Sequence, residues 1–352
     1  MPIQYLSPLR RPPEHSLVGQ VYRQIKQEFG VIADPFQLHA PVPELLAGLW
    51  SVTREVGVAR QVPWPVKEAV AAAVSQSNAC PYCVEIHAAV ASVGTNQPLA
   101  SLLFQGRTTD LADPSLRAIL TWAESTRSPG SAPLLRPPFT ASEAPEIIGT
   151  TLVYHYINRL VQVFLPASLL PSPVRSGWAS RVLWRLIGSK LASSREQERT
   201  AGASLSFVPE ASLSSEYSWA ARSSTISRAL AGWAEVMEQV GAEMLAPQVR
   251  ALVTDFLHDW QGETLPLSRA WVNQAVARLP EADHAAGRLA LLSAVAPHQI
   301  DAAIIQAFRA EPGTDAQLVG IVAWASFQAA RRIISWLPAP AQHELSFSHQ
   351  KR

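Results

Sequence analysis

Apolar residues recur along much of this chain with the spacing of amphipathic helices. Leu17 to Phe29, Leu45 to Val56 and Ser142 to Phe164 place apolar residues three or four positions apart over most of their length. Such spacing lines one face of a helix with apolar side chains. The pattern also predicts helices at Val66–Val74, Cys80–Ala91, Pro98–Phe104 and Leu116–Ser125, with loops at Val31–Pro41 and Ser128–Pro138.

One predicted helix contains both cysteines of the protein. Cys80 and Cys83 form a Cys-x-x-Cys pair, and His87 follows one helical turn later. Because residues three and four apart share a helix face, the three side chains form one stripe if the helix begins at Cys80 and continues to Ala91. Pro81 suits the first turn, where its missing N–H has no partner to lose. Cap-type residues precede the helix at Ser75, Ser77 and Asn78.

This position favours thiol chemistry. The unpaired N–H groups and the dipole of a helix N-terminus stabilise negative charge, and a Cys-x-x-Cys context also lowers the pKa of a thiol. Glu68 lies on the preceding predicted helix, and an antiparallel return would bring it beside His87. A carboxylate that orients an imidazole, which in turn serves a thiol, is typical of an activated nucleophile.

Four residues together match the pattern of a known family. Glu68, Cys80, Cys83 and His87 read Glu-x11-Cys-x2-Cys-x3-His, which resembles the alkyl hydroperoxide reductase D (AhpD)-like branch of the carboxymuconolactone decarboxylase superfamily. The resemblance implies an all-α, AhpD-like helical fold. It also implies Cys83 as the peroxidatic thiol, Cys80 as the resolving thiol, and Glu68 with His87 as a proton relay that acts partly through water. Tyr82 departs from the pattern, because well-known peroxidase members carry a histidine there.

The resemblance implies a thiol-dependent peroxidase. Its substrate would be a hydroperoxide, and an external dithiol or a disulfide reductase would restore the pair. One alternative is a general thiol–disulfide oxidoreductase. Another is a non-catalytic helical protein whose pair senses redox state or binds zinc, with Cys80, Cys83, His87 and Glu68 as the four possible ligands. The superfamily's decarboxylase chemistry is a further alternative, although those members lack the pair. We predict no cofactor and no bound metal.

Composition narrows the class of protein further. Hydrophobic residues make up 48% of the chain and charged residues 16%, which favours a compact helical array or a homo-oligomer. A net charge of +1 argues against a nucleic-acid binder. Two cysteines in a chain of this length indicate redox chemistry in a reducing compartment. Neither a signal-peptide pattern nor a bilayer-length apolar run is present, so we expect a cytoplasmic protein.

The second half of the chain resembles a degenerate copy of the first. Ile147–Pro166 aligns with Val319–Pro338, and Pro247–Leu257 aligns with Pro65–Ser75. In the second alignment Arg250 stands where Glu68 stands, and this half contains no cysteine. The fold class we predict is therefore two tandem repeats, a pseudo-dimer in which the second repeat keeps the fold and has lost the chemistry.

These alignments predict four regions. Residues 1–165 form the AhpD-like domain with the Cys-x-x-Cys site, and residues 226–340 form the degenerate repeat. Residues 166–225 form a connector rich in Ser, Pro and Arg, with one amphipathic helix at Trp178–Leu191, and residues 341–352 form a polar tail. We interpret His155, on an apolar helix, as a core histidine. His39 and Trp50 are placed near the substrate approach from their position in the chain alone.

Overall fold

The computed structural model describes residues 3–7, 9–93, 99–168, 183–184, 186, 188–190, 192, 199–310 and 313–338. Throughout these ranges the regular secondary structure is helical, without a β-strand. The prediction of an all-α fold is therefore confirmed. None of the described helices is both long enough and apolar enough to cross a membrane.

The first half of the described chain is a series of helices, numbered here in chain order. They are α1 Leu17–Phe29, α2 Asp34–Gln37, α3 Pro43–Val58, α4 Trp64–Ser77, α5 Pro81–Ala91, α6 Leu99–Phe104, α7 Pro114–Ser125, α8 Ala132–Leu135 and α9 Ala144–Phe164. Side chains fix several ends. Ser16 caps α1 and Asp113 caps α7 by accepting hydrogen bonds from first-turn N–H groups, while Gly30 ends α1 in the left-handed conformation at φ 74°.

The predicted helices are present, although their ends differ by a few residues. The structure extends α3 and α4 at both ends beyond the predicted Leu45–Val56 and Val66–Val74. The loop prediction is wrong in part, because Val31–Pro41 contains α2 and Ser128–Pro138 contains α8. Both short helices carry a proline in their first turn, where its fixed φ suits a helix.

The second half of the described chain is helical as well. Its helices are α10 Ser224–Met244, α11 Pro247–Asp259, α12 Ala270–Val276, α13 His284–Val295, α14 Ala302–Ala310 and α15 Asp315–Ser335. A capping box begins α15, in which the Thr314 hydroxyl accepts from the N–H of Gln317 and the Gln317 side chain accepts from the N–H of Thr314. The segment before α10 contains two 3₁₀ turns, Leu205–Phe207 and Ser215–Ala220.

The two halves meet through their central helices. α3 packs on α10, and α9 packs on α15. Gly48 permits the first of these contacts, since a Cβ atom there would lie 2.5 Å from Cδ1 of Trp233. Trp233 in turn packs edge to face against Tyr156 and Phe327, with ring centroids 5.0 and 4.8 Å apart. These aromatic rings join both halves in one continuous apolar core.

Some predictions fall on residues outside the described ranges. The amphipathic helix at Trp178–Leu191 lies largely outside them, and the polar tail at residues 341–352 lies wholly outside. The predicted domain boundaries near residues 165, 225 and 340 stay predictions.

Candidate active site

A tight turn between α4 and α5 positions both cysteines. Asn78 ends α4, and Ala79 takes a left-handed conformation at φ 52°, which is uncommon for a residue other than glycine. The N–H of Cys80 then donates to the carbonyl of Ser75 at 2.9 Å. Cys80 is the N-cap of α5, and Cys83 lies in the first turn.

The predicted caps of α5 are wrong. Ser75 and Ser77 lie inside α4, Asn78 is the C-cap of α4, and Cys80 makes no side-chain capping bond to α5. The Ser75 hydroxyl donates instead to the carbonyl of Ala71 at 2.7 Å. The polar residues before the cysteines therefore serve α4 and its surroundings, and α5 begins at the cysteine pair itself.

Both cysteines are free thiols in the protein interior. Cys80 is 1% exposed and Cys83 is 2% exposed. Burial, and then the adjacent Cys80 thiol, raise the pKa of Cys83 well above its ordinary value, whereas the Asn158 and Ser75 side chains lower it. We expected the helix N-terminus and the Cys-x-x-Cys context to lower this pKa, but in the structure the loss of solvation on burial raises it.

Glu68 and His87 form the predicted carboxylate–imidazole pair. Oε2 of Glu68 lies 2.6 Å from Nδ1 of His87, with 8% and 13% of the two side chains exposed. The antiparallel packing of α4 on α5 produces this contact. Tyr154 of α9 presents its ring to the His87 imidazole edge to face, with centroids 4.5 Å apart. The structure thus brings Glu68 and His87 into contact, and it places His87 on α5, the helix that begins at the cysteine pair.

A small cavity lies on the Glu68 side of this pair. Its volume is about 40 Å³, and residues of α3, α4 and α9 line it, including Trp64, Lys67, Glu68, Val153 and Tyr154. A cavity of this size has room for a water molecule. Glu68 lines the cavity, and neither cysteine does.

Tyr82, the departure from the family pattern, does not replace the missing histidine. The side chain is buried, and its hydroxyl donates to Oδ2 of Asp34 on α2 at 3.3 Å. Burial and the Asp34 carboxylate raise the pKa of Tyr82, so the phenol stays protonated at neutral pH. Tyr82 therefore links α5 to α2 and supplies no base beside Cys83.

Within the described ranges, no three His, Cys, Asp or Glu side chains are grouped to hold a metal ion. Glu68 and His87 are instead hydrogen-bonded to each other. The predicted zinc alternative thus finds no ligand set in the described residues.

Sequence reasoning missed a buried polar pair beside the cysteines, Asn158 and Ser75. Asn158 and Ser75 are fully buried, and their amide and hydroxyl lie 2.9 Å apart. Asn158 interrupts the apolar sequence of α9, and a buried polar residue on such a helix must find a hydrogen-bond partner. That interruption was the available signal.

Three other assignments can now be checked. His155 is fully buried in the core, as interpreted. His39 and Trp50 are also fully buried, and neither lines the cavity. His39 bonds the Tyr156 hydroxyl at 2.6 Å, and Trp50 packs edge to face on Phe29, with ring centroids 5.1 Å apart. The placement of His39 and Trp50 near a substrate approach is therefore wrong.

The fold and site define an all-helical protein with a buried Cys-x-x-Cys pair beside a carboxylate–imidazole pair. No protein-family profile matches the chain. The chain is 34% identical to an alkyl hydroperoxide reductase of Mycobacterium tuberculosis over 344 residues, which cover 98% of this chain and 97% of that protein. By this likeness, the chain belongs to the AhpD-like alkyl hydroperoxide reductase family.

A solved structure also resembles part of the chain. It is the crystal structure of an alkylhydroperoxidase AhpD core, an uncharacterized peroxidase-related protein from Ralstonia eutropha. The match has a TM-score of 0.38 at 19% identity and covers 52% of this chain and 98% of that chain.

Proposed function

We propose that this protein is a thiol-dependent peroxidase that reduces hydroperoxides through Cys80 and Cys83. The Cys83 thiolate attacks the hydroperoxide, an S–O bond forms, the O–O bond breaks, and the leaving alkoxide takes a proton to become an alcohol. The Cys80 thiol then attacks the Cys83 sulfenic acid, which forms a disulfide and releases water. An external dithiol, free or in a disulfide reductase, reduces this disulfide and becomes oxidised, so two electrons pass from donor to peroxide.

The hydrogen bond between Glu68 and His87 is the observation that carries this proposal. Because a carboxylate can only accept, His87 holds its proton on Nδ1 and leaves Nε2 free to act as a base. His87 follows Cys83 by one helical turn on α5, which places both side chains on one helix face. In our proposal His87 removes the Cys83 proton and returns it to the leaving alkoxide.

Burial of the sulfurs favours a small substrate. A protein disulfide must bring a sulfur atom in line with the attacking thiolate, and Cys80 and Cys83 are only 1% and 2% exposed. A hydroperoxide presents a reactive O–O bond at the end of a small molecule. The name of the Mycobacterium tuberculosis relative agrees with this substrate class. We therefore rank hydroperoxide reduction above general thiol–disulfide exchange.

We further propose that the second half is a degenerate repeat of the first. The aligned helices occupy corresponding places, since α4 packs on α7 and α9 while α11 packs on α13 and α15. The central helices also pair between the halves, α9 with α15. In the second half a groove of about 550 Å³ lies along α11 and α15, and Arg250 lines it at the position aligned with Glu68. This arrangement fits a fused pseudo-dimer with one active unit, and it leaves further assembly into a homo-oligomer open to a solution measurement.

Intact mass spectrometry tests the proposed reaction. The purified, reduced protein is treated with one equivalent of cumene hydroperoxide and measured under denaturing conditions. We expect the wild type to lose the mass of two hydrogens, as one disulfide forms. Cys80→Ser should stop at a sulfenic acid that dimedone traps, and Cys83→Ser should not react.

Two outcomes would contradict the proposal. One is a wild-type protein that keeps its reduced mass with both cumene hydroperoxide and hydrogen peroxide. The other is a Cys83→Ser variant that consumes peroxide at the wild-type rate. A protein that ignores peroxides but reduces a small aromatic disulfide would instead be a thiol–disulfide oxidoreductase.

A further inference from the structure

A network of buried polar side chains lies beside the cysteine pair, and its hydrogen bonds continue from α4 to α9 and to the end of α7. Its members come from α4, α7 and α9 or the caps of these helices, and none is more than 7% exposed. Such groups are costly to bury unless each hydrogen bond is made. They are Ser75, Asn78, Thr126, His155 and Asn158.

Hydrogen bonds determine which way the Asn158 amide points. The Ser75 hydroxyl donates its single hydrogen to the carbonyl of Ala71 at 2.7 Å, so it can only accept from Asn158. Nδ2 of Asn158 donates to that hydroxyl at 2.9 Å, and Oδ1 of Asn158 accepts from Nδ2 of Asn78 at 2.9 Å. One N–H of Asn158 remains. The carbonyl of Ser75 accepts from the N–H of Cys80 at 2.9 Å, which sets this hydroxyl and amide beside the cysteine pair, and both side chains lower the pKa of Cys83.

The hydrogen-bonded network continues beyond Asn78. The second N–H of the Asn78 amide donates to Nδ1 of His155 at 3.0 Å. His155 therefore carries its proton on Nε2 and donates it to the Thr126 hydroxyl at 2.8 Å, and that hydroxyl donates to the carbonyl of Ala123 at 2.7 Å. Nδ1 of His155 also lies 3.3 Å from Oδ1 of Asn78, but in this tautomer it carries no hydrogen, so only the contact with Nδ2 is a hydrogen bond. With these partners the two amides are held in a single orientation.

His155 stays neutral within this hydrogen-bonded network. Burial first, and then the charges of Arg159 and Arg127, lower its pKa well below the ordinary value. A protonated His155 could not accept from Asn78, and the orientation of both amides would be lost. The two arginines thus help to keep His155 neutral, as the Nε2-protonated tautomer that accepts from Asn78 requires.

We propose that the remaining N–H of Asn158 is a catalytic donor to the Cys83 sulfur, which it stabilises as a thiolate and then as a sulfenate, with Ser75 as a second donor. Asn78 and His155 act through Asn158 as positioning residues. This inference rests on the proposed function only for its place in the reaction, because the donor itself acts on the thiolate whatever the substrate.

The chemistry requires such a donor. A thiolate in a buried site has lost its hydration, and the neighbouring Cys80 thiol adds little to replace it. The Glu68–His87 pair can remove the proton, but a fixed N–H beside the sulfur stabilises the charge that remains. When Cys83 ionises, the Ser75 hydroxyl can turn from the Ala71 carbonyl toward the sulfur and supply a second hydrogen bond.

The test measures the ionisation of Cys83 directly. In a Cys80→Ser background, which isolates one thiol, the rate of alkylation by iodoacetamide is followed against pH. Asn158→Leu keeps the side-chain shape without the N–H, and we expect its alkylation midpoint to rise by about one to two pH units. The rate constant with peroxide at neutral pH should fall roughly 10- to 100-fold.

Further variants separate the donor role from a structural one. Asn78→Ala should give a smaller rise in the midpoint, since it loosens Asn158 without removing the N–H. Asn273→Ala, an exposed asparagine on α12, should change nothing. If Asn158→Leu fails to fold, Ser75→Ala tests the proposal in its place. We expect the midpoint of Cys83 alkylation to rise in the Ser75→Ala variant as well.

An Asn158→Leu protein that is folded by circular dichroism and has the wild-type alkylation profile would overturn the inference, as would an unchanged midpoint in folded Ser75→Ala. If the wild type alkylates normally but does not react with peroxide, the proposed function fails while the donor role is still measured. The two failures are therefore distinguishable.

Discussion

Oε2 of Glu68 lies 2.6 Å from Nδ1 of His87, and this contact joins α4 to α5 at the cysteine pair. The carboxylate does two things for the imidazole. It fixes the proton on Nδ1, so that Nε2 is the basic nitrogen, and it stabilises the imidazolium that forms when Nε2 accepts a proton. The second effect depends on the charge of Glu68.

Glu68→Gln should therefore slow peroxide reduction by roughly 100-fold at neutral pH while leaving the fold intact. The amide oxygen can still accept from Nδ1, so the imidazole stays in place without the neighbouring charge. Stopped-flow measurement of Cys83 oxidation checks this expectation. Glu44→Gln, at an exposed position on α3, is the matched control and should react at the wild-type rate. A Glu68→Gln rate equal to that of the control would remove Glu68 from the relay.

The raised pKa of Cys83 predicts how both reactivity and stability depend on pH. Thiol is the major form at neutral pH, so the rate of alkylation should increase about tenfold per pH unit above about pH 7. The unfolded chain ionises near the ordinary value of about 8.5. The contribution of the neutral thiol to stability is then complete below that pH and is lost as pH rises through the higher folded pKa.

Urea unfolding at several pH values between about 7 and 10 measures this contribution. Wild type should lose stability with rising pH faster than Cys83→Ser, which has no thiol to ionise at this position. Parallel curves for the two proteins would show that Cys83 ionises alike in the folded and unfolded chains.

The four motif residues were predictable because they lie close together in sequence. Glu68 and His87 are on consecutive helices, so local spacing and one antiparallel turn are enough to bring them together. Asn158 is on α9, and its approach to Cys83 depends on how α9 packs against α4. The spacing of residues along the sequence does not show how these two helices pack. Ser75 and Asn78 were misread as caps of α5 because residue type alone does not reveal the hydrogen-bond partner.

A buried ion pair next to the site predicts a large effect on stability. Nζ of Lys67 lies 2.8 Å from Oε2 of Glu146 and also donates to the carbonyls of Val56, Gly57 and Ala59 at the end of α3. Lys67→Met would leave a buried carboxylate without its cation, at a cost of about 3–5 kcal/mol in the free energy of unfolding. Arg228→Met breaks the exposed pair with Glu210 and should cost about 1 kcal/mol or less. Chemical denaturation compares the two, and similar losses would contradict this reasoning.

His39 should make the protein sensitive to mild acid. Burial lowers the pKa of His39 to about 4, against about 6.5 in an unfolded chain. The unfolded state therefore binds the proton first, so stability is complete above about pH 6.5 and is lost as pH falls toward 4, by about 3 kcal/mol in all. His39→Gln can keep a bond to Tyr156 without titrating, and its unfolding free energy should fall less than that of the wild type between about pH 7 and 5. Equal losses would show that other groups, such as His155, dominate.

Gly48 tests how tightly α3 of the first half packs on α10 of the second half. Alanine is ordinarily the better helix former, by about 1 kcal/mol. At this position its Cβ would lie 2.5 Å from Cδ1 of Trp233, a fully buried ring packed against Tyr156 and Phe327. We therefore expect Gly48→Ala to lower the free energy of unfolding by about 1–3 kcal/mol, the usual range for overpacking. Trp233→Leu removes the ring atom, so the double variant should lose less than the sum of the single variants. Additive losses would mean that α3 and α10 adjust independently, and a stabilising Gly48→Ala would show that the two helices can separate without cost.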